Sequence, residues 1–176
     1  MTLSEKLVAG LRNITEAHAR IDQPRSTLEA LDSAIAEVVG RKLLTVLAVH
    51  TDKGIVSRAY SNVSHSYASG GIKRIDSAPR LQKVLATGQP FIGRNKADIV
   101  ANFTDAETIL ATGCSSILTV PVFWMGKILA TVNLLHTEGY YQDEHIPVVR
   151  CLAQAALPAF LCAEPVRAES PALNTQ

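Results

Sequence analysis

One stretch of the chain combines hydroxyl groups, aromatic rings and cations, and it is the stretch best suited to hold a small molecule. Tyr60, Ser61 and Tyr67 supply hydroxyls and rings, and Lys73 and Arg74 follow two adjacent glycines. Guanidinium and ammonium groups form charge-assisted hydrogen bonds with carboxylates and phosphates, and tyrosine rings can stack on a ring of the ligand. These residues predict binding of a small organic ligand, an anionic one included. The alternative is a solvated loop whose tyrosines pack as lids.

Cys114, which follows Gly113 ahead of a predicted strand, is the residue that would act as a nucleophile if the chain were an enzyme. Thiol redox chemistry needs one thiolate to attack and a second thiol to resolve the adduct. Cys151 and Cys162 lie eleven residues apart on one predicted helix, roughly 16 Å along its axis, so they cannot pair with each other. We therefore predict that Cys114 is a buried packing residue, and we assign no catalytic residue.

The histidines do not predict a metal site. None of the five is paired with another histidine at helical spacing or lies beside a cysteine. His65 alone remains open to two interpretations, a haem ligand in an apolar pocket or a solvated loop residue. The cofactor, if there is one, stays unknown. Asn133 and His136 are the two polar residues of an otherwise apolar segment, Asn133-Leu134-Leu135-His136, and the sheet itself requires neither of them.

Periodic apolar residues predict a helix at each end of the chain. Leu7, Leu11, Ile14 and Ile21 form a narrow stripe on a helix that ends at Pro24. Such a stripe packs either on its own domain or on a second copy in a dimer. A second helix is predicted to start at the capping box of Ser26 and Glu29 and to end at Gly40, and the last helix is predicted over residues 143–163, bent at Pro158.

Between these helices the pattern alternates between hairpins and short helices. Residues 62–75 are predicted to be an irregular loop, and Thr104 with Glu107 predicts another capping box. Apolar runs predict strands over residues 43–49, 55–61, 89–93, 117–123 and 128–135, and short helices are expected over residues 77–88 and 104–113. Paired hairpins with helices grouped beside them are typical of an α+β fold with an antiparallel sheet.

Charge and apolar content exclude several classes of partner. Seventeen Lys and Arg against sixteen Asp and Glu give a net charge of +1 without a basic cluster, which argues against a nucleic-acid partner. The apolar runs fall short of the roughly 20 residues that a membrane span needs, so we expect no membrane partner. An odd number of cysteines, three, favours a reducing, cytoplasmic location. Residues 164–176 are expected to be a disordered tail.

Three segments together resemble the GAF domain family of small-molecule sensors. They are APRLQKVLATGQPFIG from Ala78, GCSSILTVPVFWMGKILATVNLLH from Gly113, and YYQDEHIPVVRCLAQAALPAF from Tyr140. With the hairpin at residues 43–61 the resemblance covers residues 26–163, preceded by an N-terminal helix in residues 1–25. It implies a GAF/PAS-like antiparallel sheet with the terminal helices on one face and a ligand pocket on the other.

The resemblance also places the pocket walls. They would be the end of the second strand, the loop over residues 62–76, the short strand with Phe91, the segment over residues 97–112 and the strand that enters at Ser116. The candidate ligand-binding residues are Tyr60, Ser61, Tyr67, Lys73, Arg74, Phe91, Phe103, Cys114 and Ser116.

The function that follows is a stand-alone sensor or binding protein for a small organic ligand, acting as a homodimer or through a partner protein. An alternative is a small metabolic enzyme that uses the same pocket, for example one like the GAF proteins that reduce free methionine sulfoxide. A third is a structural interaction module with a collapsed pocket. Cyclic nucleotide binding remains open, although the segment Asn102 to Glu107 lacks the lysine of the cyclic-nucleotide pattern.

Overall fold

A six-stranded antiparallel sheet runs through the part of the chain that the computed structural model describes, residues 1–63 and 71–161. Its strands are β1 (Leu43–His50), β2 (Ile55–Ser61), β3 (Ile72–Arg74), β4 (Phe91–Gly93), β5 (Ser116–Trp124) and β6 (Lys127–His136). Their order across the sheet is β3-β2-β1-β6-β5-β4. The predicted α+β class with an antiparallel sheet is confirmed. The predictions for Tyr67, His65, Cys162 and the tail over residues 164–176 lie outside the described residues.

Helices cover both faces of this sheet. They are α1 (Leu3–Ala17), α2 (Arg25–Val38), α3 (Pro79–Thr87), α4 (Lys96–Asn102), α5 (Ala106–Ala111), α6 (His145–Ala155) and α7 (Leu157–Leu161), and a 3-10 turn at Thr51–Lys53 joins β1 to β2. The terminal helices α1, α2, α6 and α7 pack on one face and form the main core. The shorter helices α3, α4 and α5 lie on the other face, over two smaller apolar clusters.

Alternation along the central strands explains why both faces are covered. On β1, Leu44 and Val46 belong to the main core, whereas Leu43 and Leu47 pack on the opposite side. Successive side chains of a strand point to opposite faces, so an unbroken apolar run must be buried on both. The edge strands β3 and β4 are only three residues long, which leaves little unpaired edge.

The terminal helices differ from the predicted bounds. Helix α1 ends at Ala17, well before Pro24, and Ile21 is fully exposed. The chain turns over residues 18–24 so that α2 can pack against α1, and Ile14 is buried in the main core. The stripe on α1 therefore packs on its own domain. The predicted long last helix is interrupted at Ala156 because Pro158 lacks an N–H and restricts the residue before it.

Two predicted capping boxes are wrong. Helix α2 begins at Arg25 after Pro24, and the Ser26 hydroxyl donates to the Asp22 carboxylate instead of capping the helix. Helix α5 begins at Ala106 without a side-chain cap. The strand β3 and the helix α4 were not predicted, since β3 has only three residues and α4 only seven.

Candidate functional site

A cavity of about 100 Å³ lies between the sheet and the short helices α3, α4 and α5. Apolar side chains from three strands form its floor, among them Leu43, Ile117 and Leu135. Val56 from β2 and Phe103, just after α4, close its sides. An apolar cavity of ~150 Å³ can hold benzene, so this cavity has the size for a molecule of a few heavy atoms.

Arg80 brings a positive charge into this apolar cavity. It lies at the start of α3 and is only 5% exposed. Its Nη1 donates to Thr119 Oγ1 at 2.6 Å and to Asn133 Oδ1 at 2.8 Å. Its guanidinium carbon lies 4.7 Å from the centre of the Phe103 ring, within the range of a cation–π contact. Helix α3 thus places a positively charged side chain against the middle of the sheet.

Asn133 connects Arg80 to three neighbouring strands of the sheet. It lies on β6 directly opposite Thr119 of β5 and Thr45 of β1. Its Oδ1 accepts from Thr119 Oγ1 at 3.0 Å as well as from Arg80, and its Nδ2 donates to the Thr45 carbonyl at 3.2 Å. A buried amide needs partners for both its donor and its acceptor, and Asn133 has them. The position of Arg80 is therefore set by the sheet.

Among the described residues, no carboxylate forms an ion pair with Arg80. No Asp or Glu oxygen of the described residues lies within 4.0 Å of its nitrogens, and its buried Nε has no hydrogen-bond partner. Burial lowers the pKa of Arg80 to about 10, and the charge of Asp105 raises it. The side chain therefore remains a cation at neutral pH, in surroundings that disfavour the charge.

Lys73 and Asp105 form an ion pair at the mouth of the cavity. Lys73 Nζ lies 3.0 Å from Asp105 Oδ1, and each side chain is about one-third exposed. The pair joins the edge strand β3 to the start of α5. Arg58 of β2 also lines the cavity. The described lining residues thus include the cations Arg58, Lys73 and Arg80 and one carboxylate, Asp105.

Solved structures with the same architecture are GAF domains. The GAF domain of a phosphoenolpyruvate-protein phosphotransferase from Coxiella burnetii is similar with a TM-score of 0.71 and 14% identity, covering 89% of this chain and 94% of that one. The chain has a GAF-type fold. A GAF domain/HD domain protein from Geobacter sulfurreducens gives a TM-score of 0.63 and 17% identity, with 89% and 95% covered.

The GAF fold also occurs in an enzyme among these structures. The free methionine-R-sulfoxide reductase from Neisseria meningitidis, solved with its substrate, has a TM-score of 0.66 and 12% identity, with 90% of this chain and 88% of that chain covered. Identities this low show a shared fold. No family model matches the sequence, and no curated protein matches it.

Several predicted site residues line or underlie the cavity of this GAF fold. Lys73 and Phe103 line it directly. Phe91 and the buried Cys114 belong to the apolar cluster beneath it. Ser116 is fully buried, and its Oγ accepts a long 3.4 Å hydrogen bond from the Tyr141 amide. Of the nine predicted residues, Lys73 and Phe103 therefore line the cavity. Phe91, Cys114 and Ser116 do not line it.

Tyr60 and Ser61 do not line the cavity, and for Tyr60 the reason is an irregularity in β2. Val46 is opposite Tyr60, but its neighbour Leu47 is opposite Arg58, so the residue between Arg58 and Tyr60 is an extra one. Such a β-bulge turns the following side chain to the other face of the sheet. Tyr60 consequently donates to Asp32 of α2 at 3.0 Å, and Ser61 lines a groove beside it.

Arg74 also faces away from the cavity. Its side chain is 71% exposed and pairs with the Asp76 carboxylate at the edge of the sheet. Lys73 and Arg74 are neighbours on a strand, so only one of them can face the cavity. Of these two residues, only Lys73 therefore remains a candidate for holding an anion in the cavity.

The main residue that the sequence analysis missed is Arg80. It stands in a helix with exposed Gln82 and Lys83, where a charged residue ordinarily faces water. The available signal was its spacing: Arg80 lies four residues before Val84 and therefore shares the apolar face of α3. Asn133 was recognised as an unexplained polar residue, and Arg80 is its partner.

Metal binding and thiol chemistry would require His, Cys, Asp or Glu side chains grouped at one site. Within the described ranges no three His, Cys, Asp or Glu side chains are grouped to hold a metal ion. Cys114 is 1% exposed, and Cys151 is an exposed residue of α6, in the helix layer on the other face. No described helix combines the length and apolar character needed to cross a bilayer.

Proposed function

We propose that this protein is a small-molecule sensor of the GAF type, which binds its ligand in the cavity above Leu43, Ile117 and Leu135. The observation that carries this proposal is the buried Arg80, which has neutral hydrogen-bond partners but no counter-ion among the described residues. A buried charge held by a polar network in a cavity is typical of a binding site. The architecture shared with GAF domains of sensor kinases and phosphotransferases supports it.

Native mass spectrometry of the full chain, purified from extract of its own cells, tests the binding function. We expect a mass excess that disappears when the protein is denatured. Leu47→Phe fills the cavity and should abolish the excess, whereas Val49→Phe, on the same face of β1 but outside the cavity lining, should retain it. If no retained ligand is found and no compound of a broad metabolite library raises the Tm, the binding function is refuted.

We also propose that the sensor works as a homodimer in the cytoplasm, with the contact on the outer side of α1. Leu3 is 57% and Val8 66% exposed on this helix, although neighbouring Ile14 is fully buried. Two unpaired cysteines among the described residues agree with a reducing compartment. Val8→Glu should yield a monomer in sedimentation, and Ile21→Glu, at a still more exposed site beyond α1, should not. A dimer that withstands Val8→Glu would refute this contact.

An enzymatic function of the methionine-sulfoxide-reductase type has less support. A thiol mechanism requires two cysteines within reach of one substrate. Cys114 lies in the cluster beneath the cavity, and Cys151 lies on α6 behind the sheet, so these two do not meet at one site. Binding without chemistry remains the function that the cavity supports best.

A further inference from the structure

Among the described residues, the guanidinium of Arg80 has hydrogen-bond partners on one side and none on the other. Nη1 donates to two neutral oxygens, of Thr119 and Asn133. Within the described residues, the structure gives no hydrogen bond to Nε or Nη2, and Nε is buried. Leaving a buried cation without a partner is costly, so such a group is retained where something else supplies the partner.

The same chain shows twice which group binds that side of a guanidinium. Arg41 uses Nε and Nη2 to hold both carboxylate oxygens of Asp32, each at 2.7 Å. Arg74 uses the same two nitrogens to hold Asp76. The parallel fork of these N–H groups matches the two oxygens of a carboxylate. A carboxylate would satisfy the open side of Arg80 in the same way.

We propose that the cavity binds a small monocarboxylic acid and that Arg80 holds its carboxylate through Nε and Nη2. This inference rests on the proposed binding function and names the class of its ligand. The acid's apolar body would lie against Leu43, Ile117 and Leu135, which form the floor. Lys73 at the mouth, already paired with Asp105, adds to the attraction for an anion without competing for the same position.

The size and lining of the cavity define the acid further. Its volume of about 100 Å³ is smaller than the ~150 Å³ that holds benzene, which restricts the ligand to acids of about four to six heavy atoms, the two carboxylate oxygens included. A phosphate would need donors on several sides, whereas the floor offers aliphatic side chains. A second carboxylate would meet the same aliphatic floor and stay unpaired. A short-chain aliphatic monocarboxylate satisfies both the charge and the apolar surface.

Titration calorimetry on the full chain tests this assignment with matched pairs of compounds. Propionate, butyrate and isobutyrate should bind, and their amides, of nearly the same shape, should bind about 30- to 100-fold more weakly, because the charge-assisted hydrogen bonds are lost. Inorganic phosphate serves as an anion without an apolar body. Equal binding of phosphate would show that the site recognises charge alone and would overturn the assignment to carboxylic acids.

Arg80→Met is the decisive variant, with Arg74→Met as its control, since both remove an arginine and only Arg80 lines the cavity. We expect Arg80→Met to lose the preference for acids over amides and Arg74→Met to keep it. Arg80→Lys retains the charge without the fork and should fall between Arg80→Met and the native protein. Circular dichroism confirms that each variant is folded.

The outcomes separate this inference from the function on which it rests. If amides bind as tightly as acids, or if folded Arg80→Met keeps the preference, Arg80 is not the anchor although the cavity still binds ligands. If acids and amides both fail to bind while the native extract yields a ligand displaced by Leu47→Phe, the cavity binds another class of compound. If no ligand of any kind is found, the binding function itself is wrong.

Discussion

Each face of the sheet holds an arginine, Arg41 partly buried and Arg80 almost fully buried, and the two arginines have opposite surroundings. On the face of the terminal helices, Arg41 forms a bidentate pair with Asp32, which also accepts from Tyr60. On the cavity face, Arg80 is held by Thr119 and Asn133 and has no carboxylate partner among the described residues. The first arrangement is complete within the chain, whereas the second has an unused side.

This difference predicts separate roles for the two faces of the sheet, stability on the helix face and ligand binding on the cavity face. A buried ion pair whose hydrogen bonds are all made stabilises one arrangement of the chain, and removing one member leaves the other charge unpaired. An unmatched buried cation destabilises the empty protein and favours whatever anion can reach it. We therefore expect substitutions on the helix face to affect stability and substitutions on the cavity face to affect binding.

Asp32→Ala should have the largest effect on stability. It removes the acceptor of both Arg41 and Tyr60, so we expect the free energy of unfolding to fall by about 3–4 kcal/mol. Urea denaturation measures the change. Asp76→Ala, which removes an exposed partner of Arg74, should cost less than about 0.5 kcal/mol. A loss of under 1 kcal/mol for Asp32→Ala would mean that the pair on the helix face does not stabilise the fold.

Arg80→Met, in contrast, should stabilise the ligand-free protein. Removing a desolvated cation while keeping its apolar stem is expected to raise the free energy of unfolding by about 1–2 kcal/mol, which corresponds to ~2–8 °C in Tm. Thr119 still donates to Asn133, so the amide keeps its partners. Differential scanning calorimetry of the ligand-free protein checks this. A loss of 2 kcal/mol or more would make Arg80 a structural residue like Arg41.

Asp105→Asn should change stability less than Asp32→Ala or Arg80→Met. Its ion pair with Lys73 is about one-third exposed on each side, so solvent screens it and we expect a change below ~1 kcal/mol. The substitution removes the one carboxylate among the described lining residues. Calorimetry should show acids binding about three- to tenfold more tightly, while Asp76→Asn leaves binding unchanged. Weaker binding by Asp105→Asn would show that Asp105 contacts the ligand.

The sequence predicted the central part of the fold well because its signals there are local. Strand β2 has the predicted bounds, and β5 and β6 each extend one residue beyond the prediction at either end. The turn between them contains Met125 and Gly126, both with positive φ, as two-residue hairpins require. Helix α4 was missed because its Lys96–Asn102 segment has only one fully buried residue, Ile99, and therefore no apolar period.

The candidate site was harder to predict because it depends on contacts between distant segments. Arg80 and Asn133 are 53 residues apart, and the spacing of Arg80 from Val84 places it on the apolar face of α3 without indicating that this face meets Asn133. Tyr60 would have faced the cavity in a regular strand, and the bulge in β2 that reverses it has no glycine to mark it. Spacing assigns a residue to a face of its own element, but the tertiary structure decides what that face meets.

The hydrogen bonds of Asn133 restrict what evolution can place at that position. Aspartate would lose the donor to the Thr45 carbonyl and would neutralise Arg80, and leucine would leave Arg80 Nη1 and Thr119 with fewer acceptors. The hydrogen-bond network around Arg80 thus requires both asparagine at position 133 and arginine at position 80. In homologous chains we expect the two residues to be kept or replaced as a pair, which makes their joint occurrence a sequence signature of the same ligand class.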